Sequence, residues 1–167
     1  MVLTLLQELK MKKSLIFKIF YSVCIFQLLA TRVVFADQQS HYILLLKEMF
    51  TKVTIEKNDK AIPVYYDKGF QLYSNGKIIN FNQFLQQHHA IYQTPIQYKI
   101  RYDENTFIEK ENKVAGRLFI TTKKPNELAQ EIEVILVAEY KDNKLYRLWE
   151  LTYPDWAKMK AFKKIKE

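Results

Sequence analysis

The chain contains very little cysteine, glycine or proline. Its 167 residues include one cysteine, three glycines and four prolines. A single cysteine, Cys24, excludes an internal disulfide and any metal site built from several thiolates. So few glycines and prolines provide neither a glycine-rich phosphate loop nor a flexible linker between domains. We therefore expect one compact domain that is stabilised by its hydrophobic core alone.

The first 36 residues predict a secretory signal peptide, with translation starting at Met11. A lysine pair follows Met11, residues 19–30 are mostly apolar, and Val34 and Ala36 fit a cleavage site. This apolar run is shorter than the ~20 residues that span a membrane. We expect cleavage, export to the periplasm or the medium, and a mature domain over 37–167 with no stable membrane insertion. An uncleaved anchor is the alternative.

The positive charge of the chain is concentrated at its two ends. The net charge is +8, and half of this surplus lies in the first 36 residues. Much of the remainder lies in the tail "KMKAFKKIK" over residues 158–166. A basic tail of this kind is typical of a solvated chain end. Nucleic acid is therefore not an expected partner.

Two helical segments open the mature chain. Apolar residues recur at helical spacing from Tyr42 to Val53, which predicts a first helix of about four turns. Asp59 is placed to cap a short second helix that contains Pro63 in or near its first turn. We expect this second helix to end at the Asp67-Lys68-Gly69 segment.

A hairpin, a third helix and four long strands follow. Asn75-Gly76 favours a tight turn because both residues tolerate positive φ, and Asn80 with Gln83 forms a variant of the helix capping box. Beyond Pro95 the apolar period becomes two, which indicates strands. Their sequences are "IQYKIRY", "KVAGRLFITTKK", "QEIEVILVAEY" and "KLYRLWELTY", and we expect "ENTFIEKEN", "PNELA" and "KDN" to be the connections between them. This order predicts an α+β fold with a curved antiparallel sheet and the helices on one face.

The order of these elements, with the segments "YYDKGFQLYSNGKIINFNQFLQQH" and "NKLYRLWELTYPDW", resembles the nuclear-transport-factor-2-like superfamily, and within it the SnoaL-like group. The resemblance runs from Ser40 to about Trp156. It implies a cone-shaped sheet around helices, an apolar pocket without a cofactor for a small apolar or aromatic ligand, and a homodimer packed through the sheet. Members include ketosteroid isomerases, polyketide cyclases and dehydratases, but also non-catalytic binding and assembly modules, so the fold leaves the function open.

Two adjacent histidines are the first candidate site residues. Neighbours on a helix point about 100° apart, so His88 and His89 cannot share one metal ion. No metal site is therefore predicted. His88 falls at the centre of the apolar face of the third helix, whereas His89 falls at its edge and is expected at the surface. His88 is either a core residue with one nitrogen hydrogen-bonded or a pocket residue suited to proton transfer.

Carboxylates are the second group of candidates. In the enzymes of this superfamily a pocket aspartate moves a proton next to a carbonyl, and an apolar wall would raise the pKa of such a group. Glu150 is our first candidate because it alternates with apolar residues, and Asp103 is the second. No position clearly reproduces the catalytic aspartate. Glu150 is equally consistent with a salt bridge at the rim of the pocket, to Arg117 or Arg147.

Several aromatic residues and one arginine complete the prediction. Arg117 either binds an anionic ligand or, as we favour, pairs across strands on the outer face. Tyr73, Tyr92, Tyr98 and Trp149 are predicted to contact the ligand, because an aromatic body with a polar tip suits a pocket wall.

Two functions remain open: an isomerase, cyclase or dehydratase that uses acid–base chemistry, and a non-catalytic binding or assembly module.

Overall fold

The computed structural model describes residues 41–159 and Phe162. Three helices are present in these residues: α1 (His41–Met49), which continues as a π-helical segment (Phe50–Ile55), α2 (Ile62–Tyr65) and α3 (Phe81–Tyr92). The strands are β1 (Tyr66–Ser74), β2 (Lys77–Asn80), β3 (Gln97–Tyr102), β4 (Ile108–Lys110), β5 (Lys113–Lys123), β6 (Gln130–Lys141) and β7 (Lys144–Tyr153). The predicted signal peptide lies outside the described residues. None of the described helices has the length and apolar character needed to span a bilayer.

All seven strands belong to one curved sheet, so the predicted α+β class is confirmed. The strand order is β2-β1-β7-β6-β5-β3, and β4 pairs with β5. The sheet is mixed rather than wholly antiparallel, because β1 runs parallel to β7 with Leu72 opposite Leu148. A parallel pair arises here because β1 turns away through β2 and α3, and the chain returns to its side only with the last strand.

Two local predictions need correction. The Asp67-Lys68-Gly69 segment does not end a helix but lies inside β1, because α2 is only four residues long. The Asp67 carboxylate accepts a hydrogen bond from the Gly69 amide at 2.7 Å, and the register against β7 shifts between Tyr66 and Gln71. The segment is therefore an irregularity in a strand. The short strand β4 lies in "ENTFIEKEN", which we expected to be a connection.

Turn and cap residues behave as predicted around α3. Asn75 and Gly76 have φ values of 47° and 81°, the left-handed conformation that a tight hairpin requires. The Asn80 side chain accepts from the Gln83 amide, and the Gln83 side chain accepts from the Asn80 amide, both at 3.0 Å. This reciprocal capping box fixes where α3 begins and hence which of its side chains face the sheet.

The core lies between the inner face of the sheet and the apolar sides of the helices. In β7, Leu145 and Leu148 are buried, whereas Trp149 and Leu151 are 37% and 66% exposed. Successive side chains of a strand point to opposite faces, so even-numbered residues from Leu148 onwards face inwards. Glu150 and Thr152 therefore point towards the helices.

Candidate functional site

A cavity of about 500 Å³ lies between the inner face of the sheet and α3. The π-helical segment and the turn that follows β7 close its other sides. Its walls are mostly apolar and aromatic, and they include Phe50, Tyr66, Leu72, Phe84, Ile91, Tyr92, Tyr98, Ile120, Ile132, Val134, Leu148, Trp156 and Phe162. The volume is within the range of pockets that hold small organic ligands.

Helix α3 brings His88 to the cavity between Phe84 and Tyr92, which lie one turn before and one turn after it. The His88 ring stacks on Phe84 with 3.9 Å between ring centroids and meets the edge of Tyr92 at 5.3 Å. Its Nδ1 lies 2.8 Å from the Phe84 carbonyl oxygen. The two alternatives for this residue thus occur together, because it is hydrogen-bonded within the helix and also lines the cavity.

The protonation state of His88 follows from these contacts. Burial lowers the pKa of the imidazole to about 4, and the bond to the Phe84 carbonyl opposes this effect. The ring is therefore neutral at pH 7. Because a carbonyl oxygen can only accept, Nδ1 carries the proton and Nε2 carries the free lone pair. A neutral imidazole of this kind is a hydrogen-bond acceptor and a weak base.

Glu150 is the only carboxylate among the described residues that line the cavity. Its Oε1 accepts a hydrogen bond from the Ser74 hydroxyl at 2.7 Å. Burial raises the pKa of Glu150, and the hydrogen bond from Ser74 together with the nearby indole N–H of Trp156 opposes this rise. The side chain remains partly accessible because it faces the cavity. The alternative of a salt bridge at the rim is not realised with either predicted arginine.

Those arginines have other partners. Arg117 lies 2.8 Å from Glu133 and 3.6 Å from Asp103 on the outer side of the sheet. Arg147 donates to the backbone carbonyls of Gly69 and Tyr146. The preferred interpretation of Arg117 as a cross-strand pair agrees with this placement, and the structure does not bring Asp103 to the cavity. Both belong to a partly exposed ion-pair cluster.

Two of the predicted ligand-binding aromatics line the cavity and two do not. Tyr92 and Tyr98 lie in its wall, where burial raises the pKa of both phenols. Both hydroxyls therefore stay protonated and can donate a hydrogen bond. Tyr73 and Trp149 are paired in register and stack at 5.5 Å on the opposite face of the sheet. Alternation along β7 turns Trp149 outwards because it turns Glu150 inwards.

Three residues with polar atoms at the site were not predicted as site residues, namely Ser74, Trp156 and Tyr66. Ser74 is 2% exposed, and it links Glu150 to the indole of Trp156. Tyr66 lies in the cavity wall beside Phe84. The alternation of β1 would have placed Ser74 on the same face as Leu72, but its partners are more than 70 residues away in sequence. Pattern within one segment carries no information about such contacts.

The surface histidine also has a partner that the sequence did not reveal. His89 is exposed, as predicted, and its Nδ1 is paired with the carboxylate of Asp59. This contact lowers the pKa of Asp59. Among residues 41–159, no three side chains of histidine, cysteine, aspartate or glutamate converge on one point.

The curved sheet encloses the cavity against the capped helix α3, and comparison with solved structures confirms the predicted nuclear-transport-factor-2-like fold. An epoxide hydrolase from M. tuberculosis described as LEH-like matches with a TM-score of 0.59 and 11% identity, over 76% of this chain and 92% of that one. A protein from Jannaschia described as a SnoaL-like polyketide cyclase matches with a TM-score of 0.54 and 7% identity, over 68% and 86%.

PrhC from Penicillium brasilianum is a third similar structure, with a TM-score of 0.57 and 16% identity over 66% of this chain and 78% of that one. No protein-family model and no curated protein sequence matches the chain. At identities this low, the likeness establishes the fold and leaves the activity to be argued from the site.

Proposed function

We propose that this protein binds a small, largely apolar ligand in the cavity and moves a proton on it, in the manner of an isomerase, cyclase or dehydratase that uses no metal. One observation carries the proposal: the cavity of about 500 Å³ contains a carboxylate, Glu150, and a neutral imidazole, His88, in otherwise apolar walls. Perturbed titratable groups that converge in an apolar pocket are the usual mark of a reactive site.

Glu150 is the proposed proton carrier. Burial raises its pKa towards neutrality, which improves a carboxylate as a base because it then holds the proton more strongly. In the proposed step the carboxylate takes a proton from a carbon next to a carbonyl. The electron pair of the broken C–H bond moves to the carbonyl oxygen and gives an enolate. The same carboxyl then returns the proton to another position of the ligand.

The enolate oxygen needs a hydrogen-bond donor. Tyr98 and Tyr92 lie in the cavity wall with raised phenol pKa values, so each keeps its proton at pH 7. We assign this donor role to Tyr98, which lines the cavity from β3. His88 presents an acceptor at Nε2 and orients a hydroxyl or amide of the ligand. The low pKa of His88 makes it a poorer proton carrier than Glu150.

Proton exchange tests this proposal without knowledge of the natural substrate. Purified protein is incubated in D2O with a panel of enolisable aryl and alicyclic ketones, and deuterium incorporation is followed by NMR. We expect faster exchange with wild type than with Glu150→Gln for at least one ketone. Equal rates of deuterium incorporation with the two proteins for every ketone would show that Glu150 is not the proton carrier. Mass spectrometry of small molecules that co-purify with the protein supplies the ligand class independently.

A non-catalytic module is the second candidate function, and the outer face of the sheet favours it. Ile135, Val137, Trp149, Leu151 and Tyr153 are exposed there on adjacent strands. Ile135 lies opposite Leu151 and Val137 lies opposite Trp149, so these side chains form one continuous apolar patch on β6 and β7. We propose that a second copy of the chain covers this patch, because contiguous exposed apolar patches of roughly a few hundred Å² mark interaction sites.

We also propose that the protein is exported after cleavage behind Ala36. The lysine pair, the apolar run and the small residues at Val34 and Ala36 support this location. Expression of the full-length chain followed by fractionation and mass measurement of the N-terminus tests it. A mature chain that begins at Asp37 outside the cytoplasm is the expected result. An intact N-terminus in the membrane fraction would favour the anchor.

A further inference from the structure

A short chain of hydrogen bonds connects Glu150 to the turn that follows β7. The Ser74 hydroxyl lies 2.7 Å from Oε1 of Glu150, and the indole Nε1 of Trp156 lies 3.1 Å from the same hydroxyl oxygen. Ser74 is buried at the end of β1, and Trp156 also lines the cavity. These three residues come from separate parts of the sequence and meet at one end of the cavity.

The chemistry of the groups fixes the direction of both hydrogen bonds. An indole nitrogen can only donate, so the Ser74 oxygen accepts from Trp156. A hydroxyl has one proton, and the Ser74 proton therefore goes to Oε1 of Glu150. Donation from the indole polarises the hydroxyl and strengthens its bond to the carboxylate. Oε1 is thus an acceptor in this arrangement, and a proton on the carboxyl group has to reside on Oε2.

We propose that Ser74 and Trp156 are positioning residues that hold Oε1 of Glu150 as a fixed acceptor and leave Oε2 as the oxygen that exchanges a proton with the ligand. The inference rests on the proposed function. It adds two residues to the site and assigns different roles to the two carboxylate oxygens of Glu150. A carboxylate held by one oxygen loses fewer rotamers when the ligand binds, because its orientation is already fixed.

The surroundings of the two residues keep the chain in place. Asn75, next to Ser74, donates to Thr152 at 2.7 Å and to Asp155 at 3.2 Å, and it accepts from the Thr152 amide at 3.0 Å. Asp155 in turn accepts from the Ala157 amide and caps the turn that carries Trp156. The hairpin turn and the segment after β7 therefore form one hydrogen-bonded unit around the carboxyl group.

Other titratable groups line the same cavity. Burial raises the pKa of Tyr66 on β1, and the charge of Glu150 adds to this rise. His88 and Tyr92 face the cavity from α3, Tyr98 from β3, and Lys77 from β2. His88 is neutral at pH 7, and burial keeps the phenols of Tyr66, Tyr92 and Tyr98 protonated. His88 itself titrates at acidic pH, so the titration of Glu150 has to be followed through a signal from its own carboxyl group.

Selective ¹³C labelling of glutamate carboxyls, followed by NMR titration, measures the Glu150 pKa directly, with Glu150→Gln to assign the resonance. Ser74→Ala removes the bond to the charged form, so the pKa of Glu150 should rise by about one unit. Trp156→Phe should also raise it, because the indole N–H that donates to Ser74 and opposes the rise of the Glu150 pKa is lost. Ser74→Thr keeps the hydroxyl and should restore the wild-type value. A purely structural role for Ser74 would leave the titration unchanged in all three variants.

A Glu150 pKa that is the same in wild type, Ser74→Ala and Trp156→Phe would overturn the inference. If Ser74→Ala does not fold, Trp156→Phe still decides the outcome, because Phe keeps an aromatic ring in the cavity wall and removes the N–H donor. Deuterium exchange separates the two proposals. A shifted pKa without ketone exchange in wild type would reject the proposed chemistry alone, whereas exchange in wild type with an unshifted pKa would reject the positioning roles alone.

Discussion

Nδ1 of His88 donates a hydrogen bond to the Phe84 carbonyl oxygen, 2.8 Å away and one turn earlier in α3. The ring of His88 also lies on the ring of Phe84, so its position is fixed from two directions. The carbonyl oxygen of a helical residue normally accepts one hydrogen bond, from the backbone amide four residues later. The Phe84 carbonyl oxygen also accepts one from the side chain of His88. This arrangement holds a neutral imidazole against an apolar wall.

The first prediction is an acid-dependent loss of stability caused by His88. Its pKa falls from 6.5 to about 4 on folding, so the unfolded chain binds a proton between these values and the folded chain does not. The free energy of unfolding should therefore decrease as the pH falls from 6.5 towards 4, by up to ~3 kcal/mol. Urea unfolding of wild type and His88→Gln at pH 7.0, 5.5 and 4.5 measures this difference.

His89→Gln provides the matched control, because it alters the neighbouring residue on the same helix. His89 is exposed and its partner Asp59 lies outside the cavity wall. Between pH 6.5 and about 4, the range between the unfolded and folded pKa values of His88, the unfolding free energy of this variant should depend on pH as it does in wild type. A pH dependence lost equally in both variants would mean that burial of His88 is not its cause.

The second prediction concerns Glu150, whose pKa shifts in the opposite sense. Its folded-state pKa is raised, so the folded chain holds a proton that the unfolded chain has already lost. The contribution of Glu150 to the free energy of unfolding is thus fully present at acidic pH, and it is lost as the pH rises through the folded-state pKa. Glu150→Gln should be more stable than wild type at pH 8 and no more stable at pH 4. Its exchange activity should fall by roughly 100-fold or more.

Glu133→Gln is the control for Glu150→Gln. Glu133 lies on β6 at the outer face of the sheet, where it pairs with Arg117. Its replacement should change stability by less than ~1 kcal/mol, because it is a partly exposed ion pair, and exchange activity should stay at the wild-type level. Loss of activity in both variants would point to damage of the sheet rather than to loss of the proton carrier.

The third prediction tests the outer face as an interface between two copies of the chain. Leu151 is 66% exposed at the centre of the apolar patch. Leu151→Glu places a charge there and should convert a dimer into a monomer, which analytical ultracentrifugation detects. Leu128→Glu is the control, because Leu128 is 92% exposed in the β5–β6 connection. A wild-type protein that is monomeric at high micromolar concentration would reject the interface.

The fourth prediction concerns Gly116 in β5. A Cβ atom at this position would lie 2.6 Å from two ring carbons of Phe107. Gly116→Ala should therefore cost roughly 1–3 kcal/mol of unfolding free energy through overpacking. Phe107→Leu in the same chain should recover part of this loss, because a smaller side chain makes room. A double-mutant cycle from urea titrations, with Phe107→Leu alone as the reference, measures the coupling.

Local features of the sequence predicted the architecture well because they act over a few residues. Asn75-Gly76 and the Asn80–Gln83 capping box are complete within four residues, and their geometry is as expected. Period-two alternation likewise gave the four long strands. The Asp67–Gly69 segment was misassigned because Asp and Gly favour turns, whereas pairing with β7 on both sides of it, at Tyr66 and from Gln71 onwards, keeps it inside a strand.

The site was harder to predict because its contacts are long-range. Glu150 and His88 were found because each is a polar residue on an apolar face, a pattern visible within one element. The partners of Glu150 were not, since Ser74 is 76 residues away in sequence. Trp149 was assigned to the ligand as an aromatic residue with a polar tip, although strand alternation places it on the face opposite to Glu150.

Alternation along β7 has a consequence for how this protein can change over evolutionary time. One continuous strand contributes to both surfaces. The cavity is lined by Leu148, Glu150 and Thr152, and the outer face carries Trp149 and Leu151. Insertion or deletion of a single residue just before Leu148 would exchange the two sets, sending an indole into the cavity and the acid to the surface. The two surfaces can therefore diverge only by substitution, one residue at a time.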